Sequence, residues 1–306
     1  MANTEQEAAP QPERCDRGGL RGGMVEVEPG VRLHVIDAGP ADGPLVILLH
    51  GFPEFWYGWR RQVGALAAAG FRVLVPDQRG YGMSDKPPGI DSYTTDRLAA
   101  DVLALADWAG CRTFSVVGHD WGGIVAWWVA LVRLDRVARL VILNAPHPAT
   151  VRPYALRHPT QAARSWYVLA FQLPRLPERM MAAHGFRMAE RALLGTSRPG
   201  TFDADDLACY REAWGRPGAL TAMVNWYRAL RRGLRPPNAR VRAPTLILWG
   251  DRDRFLEQGL AEAAAALCDD ARVVHMEKAS HWVQHEEAAR VNRDLTAFLS
   301  GGRREA

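Results

Sequence analysis

Three residues, a carboxylate, a second carboxylate and a histidine, stand in an order along the chain that could serve one reaction. The first is Asp120, in Gly118-His-Asp-Trp-Gly122, which follows the β-branched run Phe114–Val117 and precedes an apolar stretch. Two glycines around a central residue, between strand and helix, have the spacing of a nucleophile elbow, with aspartate in the serine position. The glycines permit a turn tight enough to push the middle side chain out at the strand's C-terminal end. The free N–H groups of the helix start below it favour negative charge. Taken alone, Asp120 could equally be a helix N-cap. Downstream, the run Thr245–Trp249 ends in Gly250-Asp251-Arg252-Asp253, and Val273–Met276 is followed by Ser280-His281-Trp282. His281 could accept a proton from water while a carboxylate holds its tautomer and steadies the imidazolium. Asp251 and Asp253 both qualify for that carboxylate from position alone. His119, His275 and His285 read as bystanders: one flanks the elbow, one sits within a strand and one lies on the last helix.

An aspartate at the elbow constrains the electrophile. Serine attacking a saturated carbon would leave an ether, which water does not readily cleave. A carboxylate attacking the same carbon leaves an ester, whose own carbonyl can then be hydrolysed. Asp120 thus points to displacement at sp3 carbon in two covalent steps, on a strained epoxide or an alkyl halide. An epoxide oxygen requires acidic O–H donors, whereas a departing halide requires soft N–H donors.

The elements that must position these residues follow an alternating rhythm. Short apolar runs at Arg32–Ile36, Leu45–Leu49, Arg72–Val75, Phe114–Val117, Leu140–Leu143, Thr245–Trp249 and Val273–Met276 read as strands, several of them covered on both faces. Helical spacing fills Tyr93–Trp108, Gly122–Leu131, Leu256–Leu267 and Glu286–Leu299. The rhythm predicts an α/β fold with a mostly parallel sheet. The stretch Met24–Leu49 lacks helical spacing and reads as an antiparallel meander. From Pro148 to Pro244 no convincing strand appears, and Pro153, Pro159, Pro174, Pro177, Pro199 and Pro217 are expected to cut the segment into short helices. The expected organisation is a disordered tail at 1–23, a core from 24–147 and 245–300, and a helical insertion at 148–244. The terminal Gly-Gly-Arg-Arg tail is also expected to be disordered.

Composition narrows the class further. In 306 residues, 48% are hydrophobic and 24% charged, which excludes a mainly disordered, collagen-like or coiled-coil chain. The net charge is +4, and all but two of the basic residues are arginines spread along the sequence among acids. Such spreading argues against nucleic acid, which calls for a clustered patch. Cys15, Cys111, Cys209 and Cys268 lie far apart and read as reduced thiols. No apolar stretch reaches the length of a membrane span or resembles a signal peptide, and a cytoplasmic location is expected. No His/Cys cluster has metal-ligand spacing, and no cofactor is expected. Gly80-Tyr81-Gly82 lacks the third glycine of a dinucleotide loop, so Asp77–Ser84 is assigned to loop structure beneath the site.

These residues together resemble the epoxide hydrolases of the α/β-hydrolase superfamily over roughly Met24–Leu299. The motifs that carry the resemblance are His50-Gly-Phe-Pro53, Asp77-Gln-Arg-Gly-Tyr-Gly-Met-Ser84, Gly118-His-Asp-Trp-Gly-Gly123, Trp249-Gly-Asp-Arg-Asp253 and Ser280-His281-Trp282. The resemblance implies an eight-stranded, mostly parallel sheet with an inserted helical cap. It implies that the acid is Asp253 and that the backbone amides of Phe52 and Trp121 form the oxyanion hole. It also implies that two cap tyrosines bind and protonate the epoxide oxygen. Trp166-Tyr167 matches the first of these positions and Asn225-Trp-Tyr227-Arg the second. The expected partners are a small apolar epoxide and water, with homodimer formation left open. The alternatives are a haloalkane or haloacetate dehalogenase on the same scaffold and a non-catalytic ligand-binding homologue. Phe52, where such dehalogenases often carry an asparagine, and the two tyrosines favour the epoxide.

Overall fold

The computed structural model describes residues 20–232 and 240–301. Its strands are β1 (Arg21–Glu28), β2 (Val31–Ala38), β3 (Leu45–Leu49), β4 (Arg72–Pro76), β5 (Phe114–His119), β6 (Val137–Leu143), β7 (Thr245–Gly250) and β8 (Ala271–Met276). They form one sheet in the order β1-β2-β4-β3-β5-β6-β7-β8. Pairing is antiparallel at β1–β2 and β2–β4, and parallel everywhere else. This is the mostly parallel sheet expected from the alternating runs, with the eight strands that the resemblance implies. Every residue of β3, β5 and β7 is buried, as strands covered by helices on both faces must be.

Helices α1 (Val63–Ala68), α2 (Thr95–Trp108) and α3 (Trp121–Val132) connect the first half of the sheet. Among the described residues six α-helices follow between β6 and β7: α4 (Pro148–Arg157), α5 (Pro159–Arg164), α6 (Trp166–Ala170), α7 (Leu176–Thr196), α8 (Ala204–Gly215) and α9 (Ala219–Ala229). Helices α10 (Gly259–Ala265), α11 (Val283–Glu286) and α12 (Ala288–Leu299) complete the chain. Almost all of α3 is apolar and buried, because it crosses directly from the elbow back over the sheet.

Several expectations change. The meander ends at the β1–β2 hairpin: β3 leaves it and lies parallel between β4 and β5, and β2 pairs with β4 instead. A wholly apolar β3 is satisfied only with strands on both sides and helices above and below. Arg21, Gly22 and Gly23, placed in a disordered tail by the sequence, pair with Asp37, Ile36 and Val35. The rest of that tail, through residue 19, and the end of the C-terminal tail lie outside the described residues. Pro153 does not end a helix but sits inside α4, whereas Pro148, Pro159 and Pro177 occupy helix starts where their missing N–H costs nothing. The sharpest interruption, at Ala183–Phe186 inside α7, contains no proline: His184, Gly185 and Phe186 all take left-handed backbone angles. Cys111 and Cys268 are free, but Cys209 is disulfide-bonded, against the expectation of four reduced thiols. Among the described residues no helix is long and apolar enough to cross a membrane.

Candidate active site

The elbow is forced by sterics. A Cβ on Gly118 would lie 2.3 Å from the Gly122 carbonyl oxygen, and one on Gly122 would lie 2.1 Å from the Leu49 carbonyl oxygen. The chain turns between them with Asp120 at φ +51°, a conformation that L residues adopt only when the surroundings insist. Although Asp120 occupies the N-cap position of α3, its side chain caps nothing. Its carboxylate instead turns toward the loop after β3, where the Phe52 N–H donates to Oδ1 at 2.8 Å. Gly51 leaves room for this approach, since a Cβ there would lie 2.5 Å from the Asp120 Cβ. Trp121, the other expected oxyanion donor, is the first residue of α3, where backbone N–H groups have no partner within the helix.

The loops after β7 and β8 bring the other two groups. His281 Nε2 lies 3.5 Å from Asp120 Oδ2, and His281 Nδ1 lies 2.7 Å from Asp253 Oδ2. Asp253 is held by three further donors: Asn144 Nδ2 at 2.7 Å, the Phe255 N–H at 2.7 Å and the Leu256 N–H at 3.0 Å. Asp251 faces elsewhere and bonds His275 Nδ1 at 2.5 Å. Position alone left the two acids open, and the geometry pairs Asp253 with His281. Burial works against a charged His281, yet Asp253 and Asp120 outweigh it and lift its pKa to about 10. Burial likewise disfavours the Asp120 carboxylate, but the hydrogen bond and charge of His281 hold its pKa below the usual range. Asp120 and His281 therefore rest as an ion pair.

Above Asp120 opens a cavity of about 670 Å³ lined mainly by apolar residues of α5, α6 and α7. Tyr167 and Tyr227 both line it, their ring centres 5.9 Å apart. Tyr227 also packs edge-on against Phe52 at 5.2 Å and Trp121 at 5.0 Å, while Tyr167 packs against Phe255 at 5.6 Å. Burial and the nearby Asp120 charge push both phenols well above their ordinary pKa, so both keep their protons. Contacts between the helical insertion and the core hold these rings in place. Trp226 Nε1 donates to the Arg79 carbonyl at 3.0 Å, Trp214 Nε1 to the Pro53 carbonyl at 2.6 Å, and Arg164 to the Asp253 carbonyl at 3.0 Å. The loop Asp77–Ser84 is structural, as expected: the Asp77 carboxylate accepts from the Trp56 and Met83 amides and from His34.

Two sets of residues escaped the sequence reading. Asn144, at φ +42° just after β6, donates to Asp253 and accepts from the Gly250 N–H at 2.8 Å. A polar residue at the end of an otherwise apolar central strand was the available signal. The second set surrounds Glu54, whose side chain is fully buried. His285 Nε2 and the Tyr210 hydroxyl lie 2.7 and 2.6 Å from its Oε1, and Gln284 donates to its Oε2 at 3.0 Å. His119 is no mere bystander: it stands 3.3 Å from Glu54, and its Nε2 meets the His281 carbonyl at 2.9 Å. A donor from Gln284 to His119 Nδ1, at 3.1 Å, fits an Nε2–H tautomer that donates to that carbonyl. Among the described residues no group of His, Cys, Asp and Glu could hold a metal ion.

Residues 44–288 match the family model of the alpha/beta hydrolase fold. The chain is 44% identical over 271 residues to the AB hydrolase superfamily protein YfhM of Bacillus subtilis, covering 88% of this chain and 95% of that one. It is 38% identical to epoxide hydrolase 4 of Mus musculus, covering 88% of this chain and 77% of that protein. The crystal structure of epoxide hydrolase A from Mycobacterium thermoresistibile superposes with a TM-score of 0.83 at 34% identity, over 94% of this chain and all of that one. An apolar cavity over a carboxylate–imidazole–carboxylate line, on a sheet of this topology, agrees with those likenesses: the chain belongs to the α/β-hydrolase superfamily and, within it, to the epoxide hydrolase family.

Proposed function

We propose that this protein converts an apolar epoxide to a vicinal diol through a covalent ester on Asp120. In this reading α4–α9 act as a cap over a core formed by 24–147 and 245–300. The epoxide oxygen is held by the Tyr167 and Tyr227 hydroxyls while Asp120 Oδ2 attacks a ring carbon. The C–O bond of the ring breaks as the ester forms, and one phenol supplies the proton to the departing alkoxide. Esterification removes the Asp120 charge, so His281 loses one of the two carboxylates that raise its pKa. Its proton passes, by way of water, to the phenolate left by ring opening; the neutral Nε2 then takes a proton from a second water as that water attacks the ester carbonyl. The developing oxyanion falls to the Phe52 and Trp121 amides, each such donor contributing about 3 kcal/mol. Collapse of the tetrahedral species frees the diol and restores the Asp120 carboxylate.

The observation that carries this reading is the Asp120 carboxylate itself. One oxygen is already bonded to the Phe52 amide and the other faces His281, at the floor of a cavity flanked by two protonated tyrosines. The packing of the Phe52 ring on Tyr227 and Phe171 speaks against a halide site at that position. Two experiments test the proposal. His281→Gln should accumulate an adduct of substrate mass on Asp120, visible by intact-protein mass spectrometry. Repeated turnover in heavy-oxygen water should place label in the Asp120 carboxylate. An unlabelled Asp120 in an active enzyme would remove the covalent mechanism, and halide release from chlorinated or brominated alkanes would favour the dehalogenase reading.

A further inference from the structure

One stretch of the chain is rich in arginine and poor in acid. Residues 148–196 contain Arg152, Arg157, Arg164, Arg175, Arg179, Arg187 and Arg191 against only Glu178 and Glu190. The segment therefore nets five positive charges, and the remainder of the chain, with +4 for the whole, nets one negative. Both glutamates are already taken by arginines from outside the segment, Glu178 by Arg228 at 2.7 Å and Glu190 by Arg211. All seven arginines are exposed, and none is ion-paired among the described residues. Some arginines of the core differ: Arg72, Arg79 and Arg136 each meet a carboxylate.

The same segment leaves large apolar side chains in water. Trp166 is 68% exposed and Leu169 75%, with Leu173, Leu176, Met180 and Met188 all above 40%. Single exposed apolar residues are ordinary on any surface. These are not single: Trp166, Leu173, Leu176, Met180 and Met188 all line the cavity over Asp120, so they form the rim of its mouth. Leu169 follows Trp166 by three residues on α6 and so lies on the same side. Arg164 and Arg254 line that cavity too, and on α7 Arg179 and Arg191 each follow a rim residue, Leu176 and Met188, by three positions and so lie on the same side. Rimmed apolar patches of this kind mark interaction surfaces.

We propose that this rim is a docking face for an anionic lipid bilayer. Trp166 and Leu169 enter the interface, and the unpaired arginines of α7 engage lipid phosphates. The combination of an exposed tryptophan, leucines and methionines with arginines and almost no free acid is the pattern of an interfacial surface. A nucleic acid would use the charges but gain nothing from Leu169, Leu173 and Met188, so the bilayer is the better fit. The cavity then opens onto the membrane, and an apolar molecule can pass from lipid to Asp120 without crossing water. That use of the face rests on the epoxide reading; the binding does not.

Sedimentation of the full chain with phosphatidylcholine vesicles, with and without phosphatidylglycerol, tests the proposal. The protein should partition onto the anionic vesicles and be released as salt shortens the screening length. An arginine near such a surface contributes roughly fivefold in partitioning, so Arg179→Gln/Arg187→Gln/Arg191→Gln together should lose about 100-fold. Leu169→Ser should lose severalfold more at unchanged charge. An unchanged melting temperature and unchanged turnover of a water-soluble epoxide without vesicles would show both variants intact. Equal partitioning onto neutral and anionic vesicles, no partitioning, or full retention by the triple variant would overturn the proposal. Tight binding to duplex DNA with no effect of Leu169→Ser would overturn it in favour of a nucleic-acid face. Vesicle binding without any epoxide turnover would leave the docking face standing and strike only the proposed reaction.

Discussion

Asn144 Nδ2 lies 2.7 Å from Asp253 Oδ2, the same carboxylate oxygen that meets His281 Nδ1 at 2.7 Å. The side chain after β6 thus shares one oxygen with the imidazole delivered by the loop after β8. A carboxylate so engaged by donors has little freedom to rotate away from the histidine it orients.

Removing the Asn144 donor should loosen that orientation. Asn144→Gly keeps the φ of +42° accessible while deleting all three side-chain bonds. Loss of one donor to a buried carboxylate costs roughly 1–3 kcal/mol, so ester hydrolysis should slow by about 10–100-fold. Rapid-quench kinetics should show the covalent adduct building up while its formation is little changed. Equal slowing of both steps would contradict an effect routed through Asp253 and His281.

The tyrosines should act on the other half of the reaction. Tyr167→Phe and Tyr227→Phe are each expected to slow adduct formation by about 10²–10⁴-fold, the usual worth of a positioned acid. The Asp120 ester, once formed, should break down at nearly the normal rate. Both phenols titrate well above their ordinary values, so neither should impose an alkaline limb below about pH 10, the usual phenol value. A tyrosine-dependent fall in kcat/KM near neutral pH would contradict these roles.

His281 ties stability to pH with a definite sign. Its pKa is raised from 6.5 to about 10, so between those values the folded chain holds a proton that the unfolded chain has released. The resulting stabilisation is fully present below the unfolded value and is lost as pH rises through about 10. The melting-temperature gap between wild type and His281→Gln should therefore be larger at pH 6 than at pH 10.5. A gap that does not change across that window would mean that the Asp120–His281 ion pair does not persist in solution.

Glycine substitutions should separate steric need from simple flexibility. Gly122→Ala sets a methyl group against the β3 backbone, 2.1 Å from the Leu49 oxygen, and should cost several kcal/mol or abolish soluble expression. Gly64, in α1, is exposed with nothing within 4 Å of its virtual Cβ. Gly64→Ala should stabilise the chain by about 0.5–1 kcal/mol. Urea unfolding of both variants measures the contrast, and a neutral Gly122→Ala would mean that the elbow can relax.

Local order in the chain was enough to read much of this protein. The run Leu140–Leu143 declares a buried parallel strand because every residue in it is apolar, whereas Leu45–Leu49, equally apolar, reads as part of an antiparallel meander until β4 and β5 close on both its sides. Gly118, Asp120 and Gly122 declare the elbow because backbone sterics act over five residues. The proposed acid–imidazole chemistry is suggested by residue types in a fixed order along one sheet edge. Other features are settled only by packing between distant segments. Asp251 and Asp253 differ by two positions, and the turn after β7 decides which one meets an imidazole 28 or more residues on. Glu54 and His285 are separated by 231 positions and leave no local trace of their contact. Trp166 and Met188 stand 22 positions apart and meet at one cavity mouth only when the helices fold around it. Short-range geometry is encoded within a few residues, whereas charge and hydrogen-bond partners across the chain depend on register, crossover and packing that no single segment contains.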